Sequence, residues 1–194
     1  MEQAKSCLEK AYFISDSLHE MNVKHLVLDK LIEVEEQLEP YKALRYAKDL
    51  VKMYDSMANV TIYNKVAARL RLGENFFYVD SLQHALEEER KAYRMAMKAG
   101  DSNLLSYVRQ NLSSTFEEMG EKDSCLYYGR LAYDLNAANR FSCLLTFASA
   151  YISVDSLNQA FSLLKQAMPK TAEDRYSVFY IQSQAALKAH DFKS

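Results

Sequence analysis

The chain has 194 residues, with 24 Lys and Arg against 26 Asp and Glu, so its formal net charge is −2. Because this charge gives little attraction to nucleic acid or anionic lipid, a polyanion-binding protein is disfavoured. Hydrophobic residues make up 49% of the chain, whereas there are only 4 Gly and 2 Pro. The scarcity of turn residues excludes a β-rich fold, and the apolar content excludes a disordered chain. The composition therefore predicts a nearly all-helical protein.

Apolar residues recur at helical spacing along the whole sequence, and short polar breaks separate the runs. The first run predicts a helix at 2–20. Four pairs of helices and a last helix follow, at 22–38 with 41–57, 60–78 with 81–98, 102–119 with 122–136, 139–152 with 156–168, and 172–189. Pro40 and Pro169 lie at breaks, and Gly100 and Gly120 mark predicted helix ends.

Four of the polar breaks contain an Asp-Ser pair directly before an apolar run. These pairs are Asp80-Ser81, Asp101-Ser102, Asp123-Ser124 and Asp155-Ser156. A side-chain oxygen at such a position accepts a hydrogen bond from a free N–H group of the first helical turn. We therefore predict that the four pairs start helices, and that Gln83 forms a near capping box with Asp80.

Small residues recur, seven positions apart, in the second helix of each predicted pair. They are Ala85 with Ala92, Cys125 with Ala132, and Ala160 with Ala167; in the first pair of helices Ala43 is followed by the larger Leu50. Residues seven apart share one face of a helix, where small side chains let a neighbouring helix come close. Successive pairs are 42, 40 and 35 residues apart, and Ala4 with Ala11 lies 39 residues upstream of the first. This period, with two helices per unit, predicts a helical solenoid.

Three stretches share a finer pattern around these small residues. They read Leu72-Gly73-Glu74-Asn75-Phe76 before Ala85 and Ala92, Leu112-Ser113-Ser114-Thr115-Phe116 before Gly120, Cys125 and Ala132, and Phe147-Ala148-Ser149-Ala150-Tyr151 before Ala160, Leu164, Ala167 and Pro169. The chain thereby resembles the tetratricopeptide repeat (TPR) family over nearly its whole length, although the Trp of that family is absent. The resemblance implies an all-α fold, a right-handed α–α superhelix of antiparallel helix pairs. It implies one array, with half-repeats at 1–20 and 172–194 and repeats at 22–57, 60–98, 102–136 and 139–168.

A narrower resemblance concerns the 14 Tyr and the Asp-Ser breaks, as in Asp123-Ser124-Cys125-Leu126-Tyr127-Tyr128. These features are similar to TPR regions of envelope-associated sensors and lipoproteins of gram-negative gut bacteria. The resemblance implies the sensory or scaffolding part of a larger bacterial regulatory or envelope protein. It leaves the cell envelope, the periplasm and the cytoplasm open as locations.

The sequence contains no recognisable catalytic, cofactor-binding or metal-binding motif. The carboxylate clusters Glu33, Glu35, Glu36, Glu39 and Glu87, Glu88, Glu89 are predicted to form solvated helix faces. The four His, at 19, 25, 84 and 190, lack ligand spacing, and the three Cys, at 7, 125 and 143, are predicted to be buried free thiols. We therefore predict a non-catalytic protein with no cofactor and no metal. No membrane helix or signal peptide is present in this segment.

In the TPR family, the first helix of each repeat lines a concave groove. Carried over residue by residue, the resemblance implies groove positions at Glu74, Phe77, Tyr78, Tyr107, Gln110, Ser114, Glu117, Glu118, Leu145, Ser149, Ile152, Tyr180, Gln184 and Lys188. Such an aromatic and mildly acidic groove is expected to hold a protein or peptide partner. Packing between first helices is the alternative role of Phe77, Leu145 and Ile152, and recognition of a small ligand or glycan is the alternative function.

Two further expectations concern partners. Some TPR grooves grip a carboxylate terminus with Lys or Arg and Asn; Asn111 matches one of these positions, but Gln110, Ser114 and Glu118 occupy the others, so that class of ligand is disfavoured. The first and last helices each present a face that lacks a neighbour in the predicted array. Either the segment belongs to a longer protein or these faces pair between chains, so a homodimer through the terminal helices is predicted.

Overall fold

The computed structural model describes residues 2–18, 20–135 and 137–191, and His19 of the sequence analysis lies outside them. Within these ranges there are ten α-helices and no strand. The helices are α1 (Glu2–Ser17), α2 (Met21–Leu38), α3 (Pro40–Ser56), α4 (Ile62–Tyr78), α5 (Leu82–Ala99), α6 (Ser102–Glu118), α7 (Lys122–Asp134), α8 (Arg140–Ser153), α9 (Leu157–Leu164) and α10 (Ala172–Asp191).

Each of these helices lies where the apolar periodicity predicts one. The largest difference is at α9, which is predicted to reach residue 168 but ends at Leu164. The amides of Gln166 and Ala167 donate to carbonyl groups only three residues earlier. The chain therefore leaves the α-helix through a tighter 3₁₀-type turn shortly before Pro169.

The chain divides into two compact units, Met1–Met95 and Ala96–Ser194, which are described separately. In the first unit, α1 packs on α2, α2 on α3, and α3 on α4. The core between α2 and α3 contains Leu28, Leu31, Ile32, Ala43, Ala47 and Leu50. Tyr12 of α1 and Leu72 of α4 pack against this core from either side. Burial of each large aliphatic side chain stabilises the unit by about 1.5–3 kcal/mol.

In the second unit, α6 packs on α7, α7 on α8, and α8 on α9, while α10 contacts both α8 and α9. Leu144 and Phe147 of α8 pack with Leu164 of α9. Ala185 of α10 is fully buried against Ile152 of α8. These contacts place α6, α8 and α10 in one layer, because α8 touches both of the other two helices.

Two of the small residues predicted from the repeat, Gly73 and Ser113, lie at contacts between paired helices. A Cβ atom on Gly73 would lie 3.4 Å from the carbonyl oxygen of Ala85. Ser113 donates a hydrogen bond of 2.9 Å from its Oγ to the carbonyl oxygen of Cys125. Both pairs join residues twelve positions apart, one on the first helix and one on the second. The predicted role of these small residues in helix contact is confirmed.

Four helices end at a residue with left-handed backbone conformation, and three of these ends, those of α4, α6 and α8, share one hydrogen-bond pattern. Asp80, Gly120 and Asp155 have φ angles of 57°, 74° and 62°. After each of them the next amide donates a 2.9 Å bond to a carbonyl five residues earlier, for example from Ser81 to Phe76. This is the Schellman arrangement of a helix end. Asp80 and Asp155 therefore terminate α4 and α8.

Helices α5 and α9 begin directly after Ser81 and Ser156, so these Asp-Ser pairs lie at helix starts as predicted, but their Asp residues are the left-handed ends of the preceding helices and not caps. The predicted capping box of Asp80 with Gln83 does not form, because Ser81 and not Asp80 directly precedes α5. At Asp101 the prediction is confirmed, because its carboxylate accepts hydrogen bonds from the amides of Asn103 and Leu104. Asp123 is not a cap either, since α7 begins one residue before it. Asp is favoured both at helix starts and, among non-glycine residues, in left-handed positions, so residue type alone does not separate the two.

We expect Asp80→Gly to raise the free energy of unfolding by about 0.5–1 kcal/mol, because glycine adopts a positive φ angle without the strain that a Cβ atom causes. The control is Asp123→Gly, in the first turn of α7. There the same substitution lowers stability by about 0.5–1 kcal/mol. Urea denaturation of both variants measures the two effects, and a loss of stability in Asp80→Gly would contradict the assignment of this corner.

Several predictions of solvent exposure are corrected by the structure. Cys125 and Cys143 are buried, as expected, but Cys7 is exposed on α1. Glu35 is fully buried, and its carboxylate lies 2.9 Å from Nζ of Lys5. Glu88 and Glu89 are also buried rather than solvated. The sequence of a carboxylate cluster therefore does not show which of its members are buried, or which pair with a cation from another helix.

Candidate binding face

The candidate site in the second unit lies on the layer formed by α6, α8 and α10. Hydrogen bonds join α6 to the start and middle of α8. The Ser142 hydroxyl donates to Oε1 of Gln110 at 2.5 Å, and the Ser149 hydroxyl lies 2.8 and 3.0 Å from the two carboxylate oxygens of Glu117. In addition, Ser106 donates to the side-chain oxygen of Asn139 at 2.6 Å. We call this set of contacts the polar seam.

Glu117 is the ionisable group of the polar seam. Burial raises the pKa of its carboxyl group, and the neighbouring Glu118 charge acts in the same direction. The hydrogen bond from Ser149 and the charge of Lys188 lower it, without offsetting the burial. The folded protein therefore holds a proton on Glu117 at a higher pH than the unfolded chain does.

This shift predicts that Glu117→Gln changes the pH dependence of stability. Because the native state binds the proton more tightly, the carboxylate of the natural protein costs stability as pH rises above the usual glutamate value of 4.5. Glutamine remains neutral and still accepts a hydrogen bond from Ser149. We expect the stability of the variant relative to the natural protein to increase between pH 4 and pH 7, as measured by urea denaturation.

The exposed residue Glu118 provides the control for this experiment. Glu118→Gln removes one charge from the same helix without removing a buried carboxylate. A pH profile of Glu117→Gln that parallels those of the natural protein and of Glu118→Gln would contradict the assignment of the buried charge to Glu117.

Five of the residues identified from the sequence are exposed on α6 and α10, the two helices of this layer that contact α8, and they provide a candidate binding surface. We call this surface the first-helix face; it consists of Tyr107, Ser114 and Glu118 on α6 and Tyr180 and Gln184 on α10. The two tyrosines are 48% and 53% exposed. The residues of α6 are spaced by seven and four positions, so they lie along one side of the helix. The first-helix face is thus aromatic and polar.

Other residues identified for the groove have packing roles in the second unit. Gln110 is buried, and its amide donates to the carbonyl oxygen of Ser106. Ile152 is buried against α10, and Leu145 packs on the core between α8 and α9. Lys188 donates to the carbonyl oxygen of Ile152 at 2.6 Å and pairs with Asp155 at 2.6 Å. These side chains hold the layer together beneath the first-helix face.

The remaining predicted residues, Glu74, Phe77 and Tyr78, lie at the end of α4 in the first unit. The rings of Phe77 and Tyr78 meet edge to face with centroids 6.3 Å apart. Tyr78 is exposed, and partial burial together with the charges of Glu74 and Glu36 raises the pKa of its phenol. Asn75, which is buried, donates to the Glu36 carboxylate at 2.9 Å and so joins α4 to α2.

The polar seam was not identified from the sequence, although its partners are regularly spaced. Gln110 and Ser142 are 32 residues apart, as are Glu117 and Ser149. Because this separation is three residues shorter than the repeat step of 35 residues, each of these α6 residues bonds to a residue of α8 that lies about one turn before its own equivalent position. A search for polar pairs at this separation would have found both contacts.

Neither a metal site nor a membrane helix is found in the part of the chain that the structure describes. No group of three or more His, Cys, Asp or Glu side chains there is arranged to hold a metal ion. None of the helices in the same residues is both long and apolar enough to cross a bilayer.

Several solved structures are similar to this chain. BtubC (BKLC) from P. vanneervenii matches with a TM-score of 0.78 and 12% identity, over 99% of this chain and 85% of that one. A STAND protein with a tetratricopeptide repeat sensor, from Pyrococcus horikoshii, matches with a TM-score of 0.72 and 16% identity, over 85% of this chain and 26% of that one. The TPR-like repeats of a putative kinesin light chain from Podosopora anserina match with a TM-score of 0.63 and 12% identity, over 85% and 94%.

No protein-family model matches the sequence, and no curated protein has a significant match to it. The structural likenesses show the fold. The chain has an all-α, TPR-like solenoid fold of antiparallel helix pairs, as the sequence predicts.

Proposed function

We propose that this chain is a non-catalytic scaffold that binds a protein or peptide partner on the first-helix face of the second unit. The observation that carries the proposal is the exposure of Tyr107 and Tyr180 on a layer in which side-chain hydrogen bonds join α8 to α6 and to α10. Tyrosine combines a large apolar ring with a hydroxyl group, which is why it is enriched where proteins bind one another. Because the polar seam fixes the helices beneath, little ordering is needed on binding.

The polar residues of the face define the kind of contact that a partner makes. Ser114, Glu118 and Gln184 are exposed beside the two tyrosines and supply hydrogen-bond donors and acceptors. An extended or helical peptide meets such a surface through apolar contact with the rings and hydrogen bonds at their edge. A nucleic acid is disfavoured as the partner, because the exposed charge of the face is that of Glu118.

We also propose that the chain is the sensory or scaffolding part of a larger bacterial regulatory or envelope protein. The similarity to the STAND protein supports the sensory part of this proposal, because the matched region is only 26% of that chain and the protein has a tetratricopeptide repeat sensor. In such an arrangement the scaffold recognises a partner, and another part of the protein carries the output.

A peptide selection tests the binding proposal. Random peptides displayed on phage are selected on the natural protein, and the affinity of the recovered peptides is measured by fluorescence anisotropy. We expect the double variant Tyr107→Ala/Tyr180→Ala to bind them at least roughly tenfold more weakly, as loss of two aromatic contacts implies.

Tyr127 provides a matched control, because it is exposed to a similar degree but lies on the second helix α7. Tyr127→Ala is expected to bind the peptides as the natural protein does. The proposal is wrong if the double variant binds with unchanged affinity, or if no peptide is recovered.

A further inference from the structure

Small residues recur at equivalent positions of the first helices, and the last of these positions is exposed. Gly73, Ser113 and Ala148 occupy equivalent places on α4, α6 and α8, with steps of 40 and 35 residues, and all three are buried. A further step of 35 residues leads to Ser183 on α10. Ser183 is also small, but it is exposed. Its place on the helix is the one that a second helix covers elsewhere.

The neighbouring residues of α10 support the same register. Phe179 corresponds to Arg109 and Leu144, each four residues before the small position. Arg109 donates to the carbonyl oxygen of Leu131 on α7, and Leu144 packs with Leu164 on α9. Phe179, in contrast, is 66% exposed. We call Tyr176, Phe179, Ser183 and Ala186, all exposed, the α10 docking face.

The complementary position is uncovered on α1. The small residues that meet the first-helix positions are Ala85, Cys125 and Ala160, and these are fully buried, as is the equivalent Ala43. Ala4 continues this series 39 residues upstream of Ala43, but it is exposed. Cys7 and Ile14 are exposed on the same side of α1. We call Ala4, Cys7 and Ile14 the α1 docking face.

The other side of α1 is already occupied. Leu8 and Tyr12 pack against the core of the first unit, and Lys5 pairs with the buried Glu35. These contacts fix the orientation of α1, so its docking face is held outward on a rigid helix. Covering an exposed apolar face with another helix lowers the free energy of the assembly, because apolar surface is removed from water.

We propose that the α10 docking face of one molecule packs against the α1 docking face of a second copy, with Ser183 meeting Ala4 as Ser113 meets Cys125. The two faces supply the first and the second helix of a pair, so one complete helix pair forms across the contact. Because the two faces differ, the contact is heterologous, and the bound pair still presents one open α1 docking face and one open α10 docking face, each on a different molecule. Assembly therefore continues beyond a dimer or closes into a ring.

Two charged substitutions test this contact. Ala4→Arg blocks the α1 docking face, and Ser183→Arg blocks the α10 docking face; both positions are exposed, so the variants are expected to fold. In sedimentation velocity, the mean mass of the natural protein rises with concentration, whereas each variant alone stays a monomer. An equimolar mixture of the two variants forms a dimer and nothing larger, because it contains one usable pair of faces.

Controls separate assembly from other effects. Ala99→Arg places the same charge at an exposed site outside both faces and is expected to assemble as the natural protein does. In the natural protein, alkylation of Cys7 slows as concentration rises, since the thiol becomes covered. A natural protein that stays monomeric at every concentration overturns the proposal, as does self-association of Ala4→Arg alone. Neither Ala4 nor Ser183 belongs to the first-helix face, so failure here leaves the peptide-binding proposal standing.

Discussion

Gly129→Leu is expected to lower the free energy of unfolding by about 3 kcal/mol, at the upper end of what overpacking costs. Gly129 lies on α7, where α6 and α8 both come close. A Cβ atom at this position would lie 3.1 Å from Oγ of Ser113, 3.3 Å from Cβ of Ala150 and 3.5 Å from Cα of Phe147. Because the last of these atoms is backbone, the larger side chain fits only if the helices move apart.

The comparison of repeats explains why position 129 must be small. The equivalent position in the first unit, 40 residues earlier, is Glu89, which packs against Gly73. In the second unit the residue equivalent to Gly73 is Ser113, so the larger side chain is on α6 and the glycine is on α7. The two interfaces thus use the same space with the large and small residues exchanged.

Gly100→Leu serves as the control for Gly129→Leu. Gly100 has a φ angle of +67° and no atom within 4 Å of the place that a Cβ would take. The cost there is only that of the left-handed conformation, about 1–2 kcal/mol. Urea denaturation measures the free energy of unfolding of both variants. If the two variants lose the same amount, the close approach of α7 to α6 and α8 is not the reason why position 129 must be glycine.

Lys5→Met is expected to be the most destabilising change of a charged residue in the first unit. The Nζ atom of Lys5 lies 2.9 Å from the carboxylate of Glu35, which is fully buried, and 3.0 Å from that of Glu39. Hydrogen bonds to these two groups raise the pKa of Lys5. Without the ammonium group, the Glu35 carboxylate is left buried without this cation, which is far more costly than losing a surface pair.

Two further variants isolate this effect. Lys42→Met removes an exposed partner of the same Glu39 and is expected to change the melting temperature only slightly. The double variant Lys5→Met/Glu35→Met replaces both members of the buried pair by apolar groups and is expected to recover most of the loss. If Lys5→Met and Lys42→Met melt at the same temperature, the ion pair between Lys5 and Glu35 does not stabilise the packing of α1 on α2.

The helices could be located from the sequence because each one carries an apolar stripe that must be buried against its neighbours. The helix ends were harder to predict. Gly120 at one corner is a clear signal for a left-handed residue, but Asp80 and Asp155 at the equivalent corners were interpreted as helix starts. The register of the repeat, with steps of 40 and 35 residues, identifies all three as the same position. In this fold, register is more informative than residue type.

The candidate site was only partly predictable, for a different reason. Tyr107 and Tyr180 were identified by their place in the repeat, and they are exposed. The sequence could not show that Gln110 is used in the polar seam, since its partner Ser142 lies on another helix. The burial of Glu35 depends in the same way on Lys5, which is 30 residues away. Polar side chains acquire their roles from partners that local sequence does not identify.

The central claim, that the first-helix face binds a peptide, is tested most directly by mapping amide chemical shifts of the protein on addition of a selected peptide. The account predicts that the largest shift changes fall on exposed residues of α6, α8 and α10 around Tyr107 and Tyr180, with little change on α7 and α9. Changes concentrated on the second helices α7 and α9, or spread evenly over the second unit, would contradict it.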